Sequence, residues 1–367
     1  MRALWIVREN LTQHPGGDTT QILRTADALR ARGVEVELSS ESAAPLAGCD
    51  VVHLFHLDRL WENEAHCRRI RAAGRPAVLS TIYWPPDEFD RGGRAGVQGR
   101  LARLAGSRTY ENLRLFQRWV LHVARHPSAA ALRARRWGFH DAARHVLETA
   151  AVILPNSRAE QDAIRQHFGV DRPTVVVPNA ADASAFDAPS SDAPPERAGV
   201  LCVGRIEPRK NQLALIEALN PAGTPLTLVG QPGRYSHTYY RRCLRAAGPN
   251  VTFLGQQRPR ALGDLYRRAR VHACVSWYET PGLASLEAAL CGCNLVITPG
   301  GSTREYFGDN AHYCTPNDVA SIRRAVEAAL AAPPPARLTE RVRTEYTWSA
   351  AAEKTLEAYQ LAASGGQ

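Results

Sequence analysis

Residues 199–219 read GVLCVGRIEPRKNQLALIEAL. The first six residues form a short apolar run that predicts a buried β-strand, and the residues from Asn211 to Leu219 have a helical pattern. A strand, a short loop and a helix in this order are the repeating unit of a parallel sheet. The stretch therefore predicts an α/β fold. It also places the loop of residues 204–211 at the carboxyl end of a strand, where such sheets hold ligands.

The same alternation of short apolar runs and helical patterns extends through the chain. Residues 19–32, for example, place Ile22 and Leu29 on one helical face, and Gly33 ends the pattern. The candidate strands are ALWIV (3–7), VEVEL (34–38), DVVHLF (50–55), PAVLSTI (76–82), AAVILP (150–155), TVVVPN (174–179), GVLCVG (199–204), LTLVG (226–230), NVTFLG (250–255), VHACVS (271–276), NLVITP (294–299) and HYCTP (312–316). Two doubly wound sheets are the expected result.

A linker divides the candidate strands into two series. Residues 183–198 read ASAFDAPSSDAPPERA, which is rich in Pro, Ser and Ala and has no apolar periodicity. A chain of 367 residues also exceeds the usual size of a single core. We therefore predict two Rossmann-like domains facing a central cleft, the first over residues 1–183 and the second over residues 198–335.

The charge balance favours an anionic partner. The chain has 45 Lys and Arg residues against 36 Asp and Glu residues, a formal net charge of +9. A nucleotide, a phospholipid surface or nucleic acid would suit this balance. Only Lys210 and Lys354 are lysines, so a lysine in a functional loop is informative. Ten arginines fall in residues 100–144, and this basic insert is interpreted either as a solvated pair of helices or as an amphipathic surface for anionic lipid.

Several features favour a cytoplasmic protein. The apolar run of residues 3–7 is too short for a signal peptide, and no run approaches the ~18 apolar residues of a membrane-spanning helix. The eight cysteines lack the spacing of a metal site, which predicts thiols in a reducing compartment. We expect the chain in the cytoplasm, or at the inner face of the cell membrane if the basic insert contacts lipid.

Two glycine-containing loops follow candidate strands and precede helices. In the first, Gly16 and Gly17 would let the backbone approach a phosphate or a sugar at a helix N-terminus. In the second, Gly204 is followed by Arg205 and Lys210. The arginine offers a fork of donors for two phosphate oxygens, and the lysine supplies a mobile point charge. Both loops are therefore candidate anion sites.

The stretch SWYETPGLASLEAALCG (276–292) contains two acidic residues, one on each side of a glycine turn. Backbone N–H groups near Gly282 and Leu283 would form an anion site at the start of a helix. Glu279 precedes the turn and Glu287 lies one helical turn inside. Carboxylates accept hydrogen bonds from vicinal hydroxyls, so with a nucleotide sugar as ligand each acid would hold one sugar, and the amides would face the diphosphate between them.

These motifs together resemble family 4 of the retaining glycosyltransferases, which have the GT-B fold and belong to the glycosyl transferases group 1. The two Glu with seven residues between them match Glu279 and Glu287, followed by EAALCG (287–292). The family's Gly-Arg and later Lys match Gly204-Arg205 and Lys210. Residues 346–359, YTWSAAAEKTLEAY, resemble the helix that crosses back onto the first domain, here expected at about residues 347–362.

The resemblance implies a role for each matched position. Arg205, Lys210 and Glu279 would be catalytic, the two cations holding the donor diphosphate and the acid binding hydroxyls of the transferred sugar. Glu287 would bind the ribose of the nucleotide. Further donor contacts are expected from Gly16, Gly17, Gly204, Gly230, Pro281, Gly282 and Leu283, with Pro281 standing where many family members have Phe.

The acceptor side departs from the family pattern. Many members have a histidine after the fourth strand of the first domain, whereas this chain has Tyr83 and Trp84 there. His56, at the end of the preceding candidate strand, could take the place of that histidine. We therefore expect His56, Tyr83 and Trp84 on the acceptor side. His53 is interpreted as a packed residue or as a second acceptor-side histidine.

The implied activity is a retaining, metal-independent transfer of a hexose from a nucleotide-diphosphate sugar to a glycan or lipid-linked acceptor. The expected process is synthesis of bacterial lipopolysaccharide or exopolysaccharide, with no cofactor besides the nucleotide sugar as co-substrate. A GT-B epimerase or phosphorylase is an alternative within the same fold. An arginine-rich nucleic-acid-binding protein is an alternative of another class, but the chain lacks a recognised nucleic-acid-binding module, so we expect no nucleic acid partner.

Overall fold

The computed structural model describes residues 1–13, 16–41, 44–58, 60–94, 96–106, 109–113, 116–117, 119–120, 138–186, 196–280 and 282–365. These residues form two compact units, each with its own parallel sheet. The first unit comprises residues 1–85, 100–178 and 348–367, and the second comprises residues 86–99 and 179–347. About half of the basic insert, residues 100–144, lies outside the described residues.

Each unit is built on one sheet, with strands in the order β2-β1-β3-β4-β5 in the first unit and β11-β10-β9-β6-β7-β8 in the second. All neighbouring strands pair in parallel. The strands are β1 Arg2–Ile6, β2 Glu35–Ser39, β3 Val51–Phe55, β4 Ala77–Ser80, β5 Val152–Leu154, β6 Ala198–Val203, β7 Leu226–Val229, β8 Val251–Leu254, β9 Ala269–Cys274, β10 Asn294–Ile297 and β11 His312–Tyr313. The predicted strand at 174–179 runs beside β5, with a bridge between Thr174 and Ile153 and with the Val175 N–H donating to the Ile153 carbonyl at 3.1 Å.

Helices connect the strands. They are α1 Gly17–Arg30, α2 Leu60–Ala72, α3 Gly96–Ala105, α4 Phe139–Thr149, α5 Arg158–Phe168, α6 Ala183–Phe186, α7 Gln212–Leu219, α8 His237–Ala246, α9 Pro259–Arg268, α10 Leu283–Leu290, α11 Thr303–Phe307, α12 Val319–Ala331, α13 Ala336–Glu345 and α14 Trp348–Ser364. Shorter elements are a π-helical turn at Phe89–Gly93 and 3₁₀ turns at Pro208–Lys210 and Asn220–Ala222. Across the described residues, no helix combines the length and the apolar character that crossing a membrane requires.

The last helix completes the core of the first unit. Small residues of α14, among them Ala352 and Ala358, pack against β1 and α1, and the Trp5 Nε1–H donates to the Tyr359 hydroxyl at 2.8 Å. His53 lies in the same core, with Nδ1 2.8 Å from the Tyr359 hydroxyl oxygen. The end of the chain therefore packs with its first strand, because the alanine face of α14 allows the helix to approach the sheet closely.

Residues 86–99 do not pack where the predicted first domain, residues 1–183, would place them. They belong to the second unit, where the Phe89 ring lies 6.3 Å from the Trp277 ring. A Cβ on Gly93 would lie 2.6 Å from the Trp277 indole nitrogen. The Phe89 ring and the space left by Gly93 explain why this segment packs against Trp277. Trp277 is remote in sequence, so the local sequence pattern does not reveal the contact.

Glu160 is a buried carboxyl group that holds two loops of the first unit. It accepts hydrogen bonds from the Thr81 hydroxyl, from the Tyr83 N–H at 2.9 Å and from the Asn156 N–H at 3.0 Å. Burial raises the pKa of Glu160 from its usual 4.5 to about 7, although these hydrogen bonds act in the opposite direction. The folded chain therefore keeps a proton on Glu160 that the unfolded chain releases between these values.

This shift predicts a pH-dependent stability. Below pH 4.5 Glu160 is protonated in both states, and between pH 4.5 and about 7 only the folded state holds the proton, so the free energy of unfolding falls by about 1.4 kcal/mol per pH unit from this group. In urea titrations at pH 5 and pH 8, Glu160→Gln should reduce the pH difference by about 3 kcal/mol. The exposed-site control Glu148→Gln should leave it unchanged. An equal pH difference in Glu160→Gln and the wild type would contradict the assignment.

Candidate functional site

The loops after β6 and β7 meet at two glycines. Gly204 and Gly230 have φ of +144° and +142°, which side-chain-bearing residues rarely adopt. A Cβ on Gly230 would lie 2.1 Å from the Gly204 carbonyl oxygen. Only glycine at 230 permits this close approach, and it fixes the backbone just before Arg205.

Lys210 and Glu279 form the central ion pair of the second unit. The Lys210 Nζ lies 2.5 Å from the Glu279 Oε1, and the side chains are 18% and 9% exposed. Arg209 reinforces the pair, with its guanidinium 3.4 Å from the same oxygen and donating to the Tyr278 carbonyl at 2.8 Å. The loop after β6 and the loop after β9 are thus joined by charge at the carboxyl ends of neighbouring strands.

The pair keeps Glu279 ionised. Burial alone would raise the pKa of this carboxyl group, but the positive charges of Lys210 and Arg209 lower it to about 2. Glu279 is therefore a permanent hydrogen-bond acceptor at neutral pH, and Lys210 is held at its side before any ligand arrives.

The backbone of Glu279 is fixed by the glycine loop after β10. Glu279 forms a bridge with Gly301, its N–H donates to the Gly300 carbonyl at 3.2 Å, and its own carbonyl accepts from the Ser302 N–H at 2.8 Å. Gly301 has φ of +88°, and a Cβ there would lie 1.9 Å from the Glu279 carbonyl oxygen. The sequence motif TPGGS thus serves to position the acid.

Glu287 lies in a different environment from Glu279. It projects from α10, which Gly282 starts with a left-handed φ of +74°, and its Oε2 accepts from the Tyr266 hydroxyl at 3.0 Å. Burial raises the pKa of Glu287 to about 7, against the opposing effect of that hydrogen bond. The two predicted acids therefore differ in protonation near neutral pH. Pro281 lies outside the described residues.

The start of α10 has the expected character of an anion site. The first N–H groups of a helix have no intrahelical acceptor, and those near Gly282 and Leu283 belong to this class. Arg205, by contrast, is more than half exposed, at 58%, and its nearest acidic neighbour is Glu207 at 3.8 Å. Its guanidinium is thus less constrained than that of Arg209, which contacts both Glu207 and Glu279.

Arg209 is the functional candidate that sequence reasoning missed. Its side chain is 23% exposed, and it contacts Glu207, Glu279 and the face of the Tyr278 ring. The sequence signal that could have identified Arg209 is its position directly before Lys210. In a chain whose positive charge is almost entirely arginine, that signal is weak, because most arginines of such a protein lie on the surface.

In the first unit, the structure brings the Gly16–Gly17 loop close to His56. Gly16 precedes α1, and Asp18 in its first turn lies 2.7 Å from Arg8 and 3.3 Å from the His56 Nε2. His56 has a φ of +67°, a strained conformation that often marks a functional position. Burial would raise the pKa of Asp18, but His56 and Arg8 lower it well below its usual range.

The other expected acceptor-side residues divide between core and partial exposure. Tyr83 is only 5% exposed, and its ring lies 5.2 Å from the Phe168 ring in the core of the first unit. His53 is 1% exposed and also bonded to Ser80, which supports the packed interpretation. Trp84 is half-buried. Tyr83 is buried because its large apolar ring can pack against the aromatic side chains beside the loop.

Comparisons with known proteins agree with this architecture. The family model described as "Glycosyl transferases group 1" matches residues 184–345. The glycogen synthase of Mycobacterium tuberculosis is 30% identical over 232 residues, which are 59% of this chain and 55% of that protein, so the match spans about half of the relative's length.

Solved structures extend the likeness to both units. The sucrose-phosphate synthase of Thermosynechococcus elongatus has a TM-score of 0.72 at 16% identity and covers 98% of each chain. HepE of Anabaena, solved in complex with UDP-glucose, has a TM-score of 0.60 at 19% identity and covers 100% of this chain and 99% of its own. Residues 184–345 therefore match the glycosyl transferases group 1 family model, and the chain has the two-unit α/β fold of the GT-B glycosyltransferases.

Proposed function

We propose that this chain is a retaining glycosyltransferase of family 4 that moves a hexose from a nucleotide-diphosphate sugar to a glycan or lipid-linked acceptor. The observation that carries the proposal is the buried group of Lys210, Arg209 and Glu279, joined to the loop that leads into α10 and Glu287. It combines cations for a diphosphate with two carboxyl groups for sugars. The structural neighbour HepE, which has the same fold, was solved with UDP-glucose and supports a nucleotide-sugar donor.

The cations and amides of the second unit suit the diphosphate. Lys210 is already oriented by Glu279, and Arg205 is exposed enough to turn toward a phosphate oxygen. N–H groups at Gly282 and Leu283 add partial positive charge. We propose that these groups stabilise the charge that develops on the departing diphosphate, without a metal ion in this role, and this stabilisation is the main source of rate enhancement.

The two acids suit the two sugars of the donor. Glu279, ionised and fixed through its backbone, would accept hydrogen bonds from hydroxyls of the transferred hexose. Glu287, with a pKa of about 7, can accept as a carboxylate or donate as an acid, and either form can bind a ribose hydroxyl. Gly204 and Gly230 would bring the backbone close to the nucleotide.

Retention would follow from attack on the same face that the phosphate leaves. A covalent glycosyl intermediate needs a free carboxylate near the anomeric carbon, as in retaining glycosidases. Glu279 is engaged by Lys210 and Arg209 and, in this proposal, by sugar hydroxyls, so it is a poor nucleophile. The acceptor hydroxyl would attack as the C–O bond to the diphosphate breaks, and its proton would pass to the departing phosphate oxygen.

The acceptor side is proposed to lie on the first unit. His56 and Trp84 remain candidates there, together with the Gly16–Gly17 loop, which would contact the donor phosphates. His56 is held beside Asp18 in a strained backbone conformation. We propose bacterial surface polysaccharide as the product class, because a lipid-linked acceptor presents phosphate at an anionic membrane and the chain carries a net charge of +9.

A two-stage experiment tests the donor and the reaction. Thermal unfolding with UDP-, GDP- and dTDP-sugars should show stabilisation by one nucleotide class, about 2.7 kcal/mol at ~100 times its dissociation constant. Glu287→Gln should weaken the binding of all sugars of that nucleotide to the same extent. Glu279→Gln should change the preference among the sugars. Glu327→Gln, an exposed control on α12, should behave as the wild type.

The second stage incubates the stabilising donor with lipid-linked glycan acceptors and determines the anomeric configuration of the product by NMR. Transfer with the configuration of the donor is expected. An inverted product would contradict retention. Interconversion of free nucleotide sugars or consumption of inorganic phosphate, without transfer to an acceptor, would replace the proposal with an epimerase or a phosphorylase.

A further inference from the structure

The first unit contains a cluster of three metal-ligating side chains outside the proposed transfer site. Glu111 lies in the short helical turn of residues 109–113, His140 in the first turn of α4 and His167 in the last turn of α5. One ligand atom from each side chain lies within 4.8 Å of the other two. The Glu111 Oε2 is 3.6 Å from the His167 Nε2 and 3.9 Å from the His140 Nε2. These three residues are called the His₂Glu cluster below.

One carboxyl oxygen of the cluster, the Glu111 Oε2, is buried without a hydrogen-bond donor among the described residues. Glu111 is 5% exposed, and within the described ranges neither its Oε2 nor the His167 Nε2 has a hydrogen-bond partner. The contacts of 3.6 and 3.9 Å are too long to be hydrogen bonds. Burying a carboxylate in this way is costly unless another positive group is bound nearby. The cluster therefore calls for a cation.

The surroundings of the cluster are apolar and fix the rings. The imidazoles of His140 and His167 stack with centroids 4.5 Å apart, and the Phe168 ring lies 5.3 and 4.8 Å from them, respectively. Phe139 packs against the His140 ring at 5.9 Å. A metal ion bound here would be sheltered from water on the aromatic side, and its ligands would need little reordering on binding.

The spacing fits a first-row transition metal. With Zn–N and Zn–O bonds of about 2.0–2.2 Å, tetrahedral ligand atoms lie about 3.4 Å apart. The two separations between the carboxylate and the histidines, 3.6 and 3.9 Å, approach this value, and the ligand atoms of the two histidines lie within 4.8 Å of each other. Two imidazoles and one carboxylate are typical zinc ligands, whereas Mg²⁺ and Ca²⁺ prefer oxygen alone.

We propose that the Glu111 Oε2, the His140 Nε2 and the His167 Nε2 bind a Zn²⁺ ion. The ion balances the buried carboxylate and joins three segments that are distant in sequence: the turn at 109–113, the start of α4 and the end of α5. Its role is to stabilise the first unit by joining two described parts of the basic insert to the end of α5. The site is separate from the diphosphate chemistry proposed for the second unit.

Zinc binding by the full chain tests the proposal. After removal of metal with EDTA, the wild type dialysed to equilibrium against Zn²⁺ should bind about one Zn²⁺ per chain. Added Mg²⁺ should not compete for this site. Loss of an outer-shell partner already weakens metal sites 10–100-fold, so His167→Ala and Glu111→Gln should each weaken binding by about 100-fold or more. His237→Ala, at an exposed histidine of α8, should bind zinc as the wild type does. Circular dichroism checks that each variant is folded.

Two results would overturn the site. One is a wild type that retains no zinc, and the other is wild-type affinity in the folded Glu111→Gln or His167→Ala variant. If both variants unfold, the X-ray absorption spectrum of the zinc-loaded wild type decides the matter. Imidazole nitrogens at about 2.0 Å would support the cluster, and sulfur at about 2.3 Å would assign the zinc to cysteines instead.

Discussion

Lys210→Ala is expected to reduce sugar transfer by about 10²–10³-fold or more, the usual loss when a group that stabilises transition-state charge is removed. Lys210 would contact the diphosphate as negative charge develops on it, so the loss should fall mainly on kcat. The substitution also removes the nearest cation from Glu279, at 2.5 Å. Two functions proposed for the site, phosphate binding and orientation of the acid, therefore fail together.

The same substitution should destabilise the second unit. Breaking a buried ion pair leaves an uncompensated charge, which costs about 3–5 kcal/mol. Arg209 remains 3.4 Å from the Glu279 Oε1, so the lower end of this range is expected. The pKa of Glu279 should rise toward its usual 4.5 when Lys210 is lost, so protonation of this group below pH 4.5 should cost the variant less stability than it costs the wild type.

The chain provides its own control, because it has only one other lysine. Lys354 is 51% exposed on α14 and pairs with Glu357, which is 55% exposed. Lys354→Ala should leave both transfer and urea stability close to the wild type, since exposed pairs contribute little. Transfer rates should be measured at saturating donor on folded protein. A Lys210→Ala enzyme with near-normal kcat would remove this lysine from the catalytic group.

Much of the fold could be predicted because the sheets are buried on both faces. Strands such as Val51–Phe55, which is buried at every residue, appear as continuous apolar runs, and their helices have their own pattern. The TVVVPN run at 174–179 has the same composition and pairs more briefly, through a bridge at Thr174 and hydrogen bonds from the Val175 and Val177 N–H groups, because strand pairing depends on neighbours that composition does not specify.

The candidate site could be predicted where backbone geometry restricts the residue type. Gly230 and Gly301 stand where a Cβ would overlap a carbonyl oxygen, and Gly204 has a φ of +144° that favours glycine. The protonation of the acids could not be predicted, because Glu279 and Glu287 differ only through side chains brought near by folding. Lys210 lowers the pKa of Glu279, and burial raises the pKa of Glu287. The His₂Glu cluster escaped sequence analysis for the same reason, since its ligands are spread over 57 positions from Glu111 to His167.

Gly301→Ala is expected to reduce transfer by about 10²-fold without changing any ligand-binding side chain. The new Cβ would lie 1.9 Å from the carbonyl oxygen of Glu279 and 2.7 Å from its backbone nitrogen, so the backbone of the acid must move. A shift of about 1 Å in a positioned group can reduce rate by about 10²-fold. The overlap should also lower the free energy of unfolding by about 1–3 kcal/mol, in addition to about 1 kcal/mol for alanine at a φ of +88°.

Gly223→Ala separates the overlap from the conformational strain. Gly223 belongs to the same unit and has a φ of +62°, but no atom lies within 4 Å of its added Cβ. This variant should lose about 1 kcal/mol of stability in urea unfolding and keep its transfer rate, because only the left-handed conformation is disfavoured. If Gly301→Ala loses no more activity than Gly223→Ala, then the loop after β10 does not position Glu279 for the reaction, and the carboxylate must be held by its contacts with Lys210 and Arg209 alone.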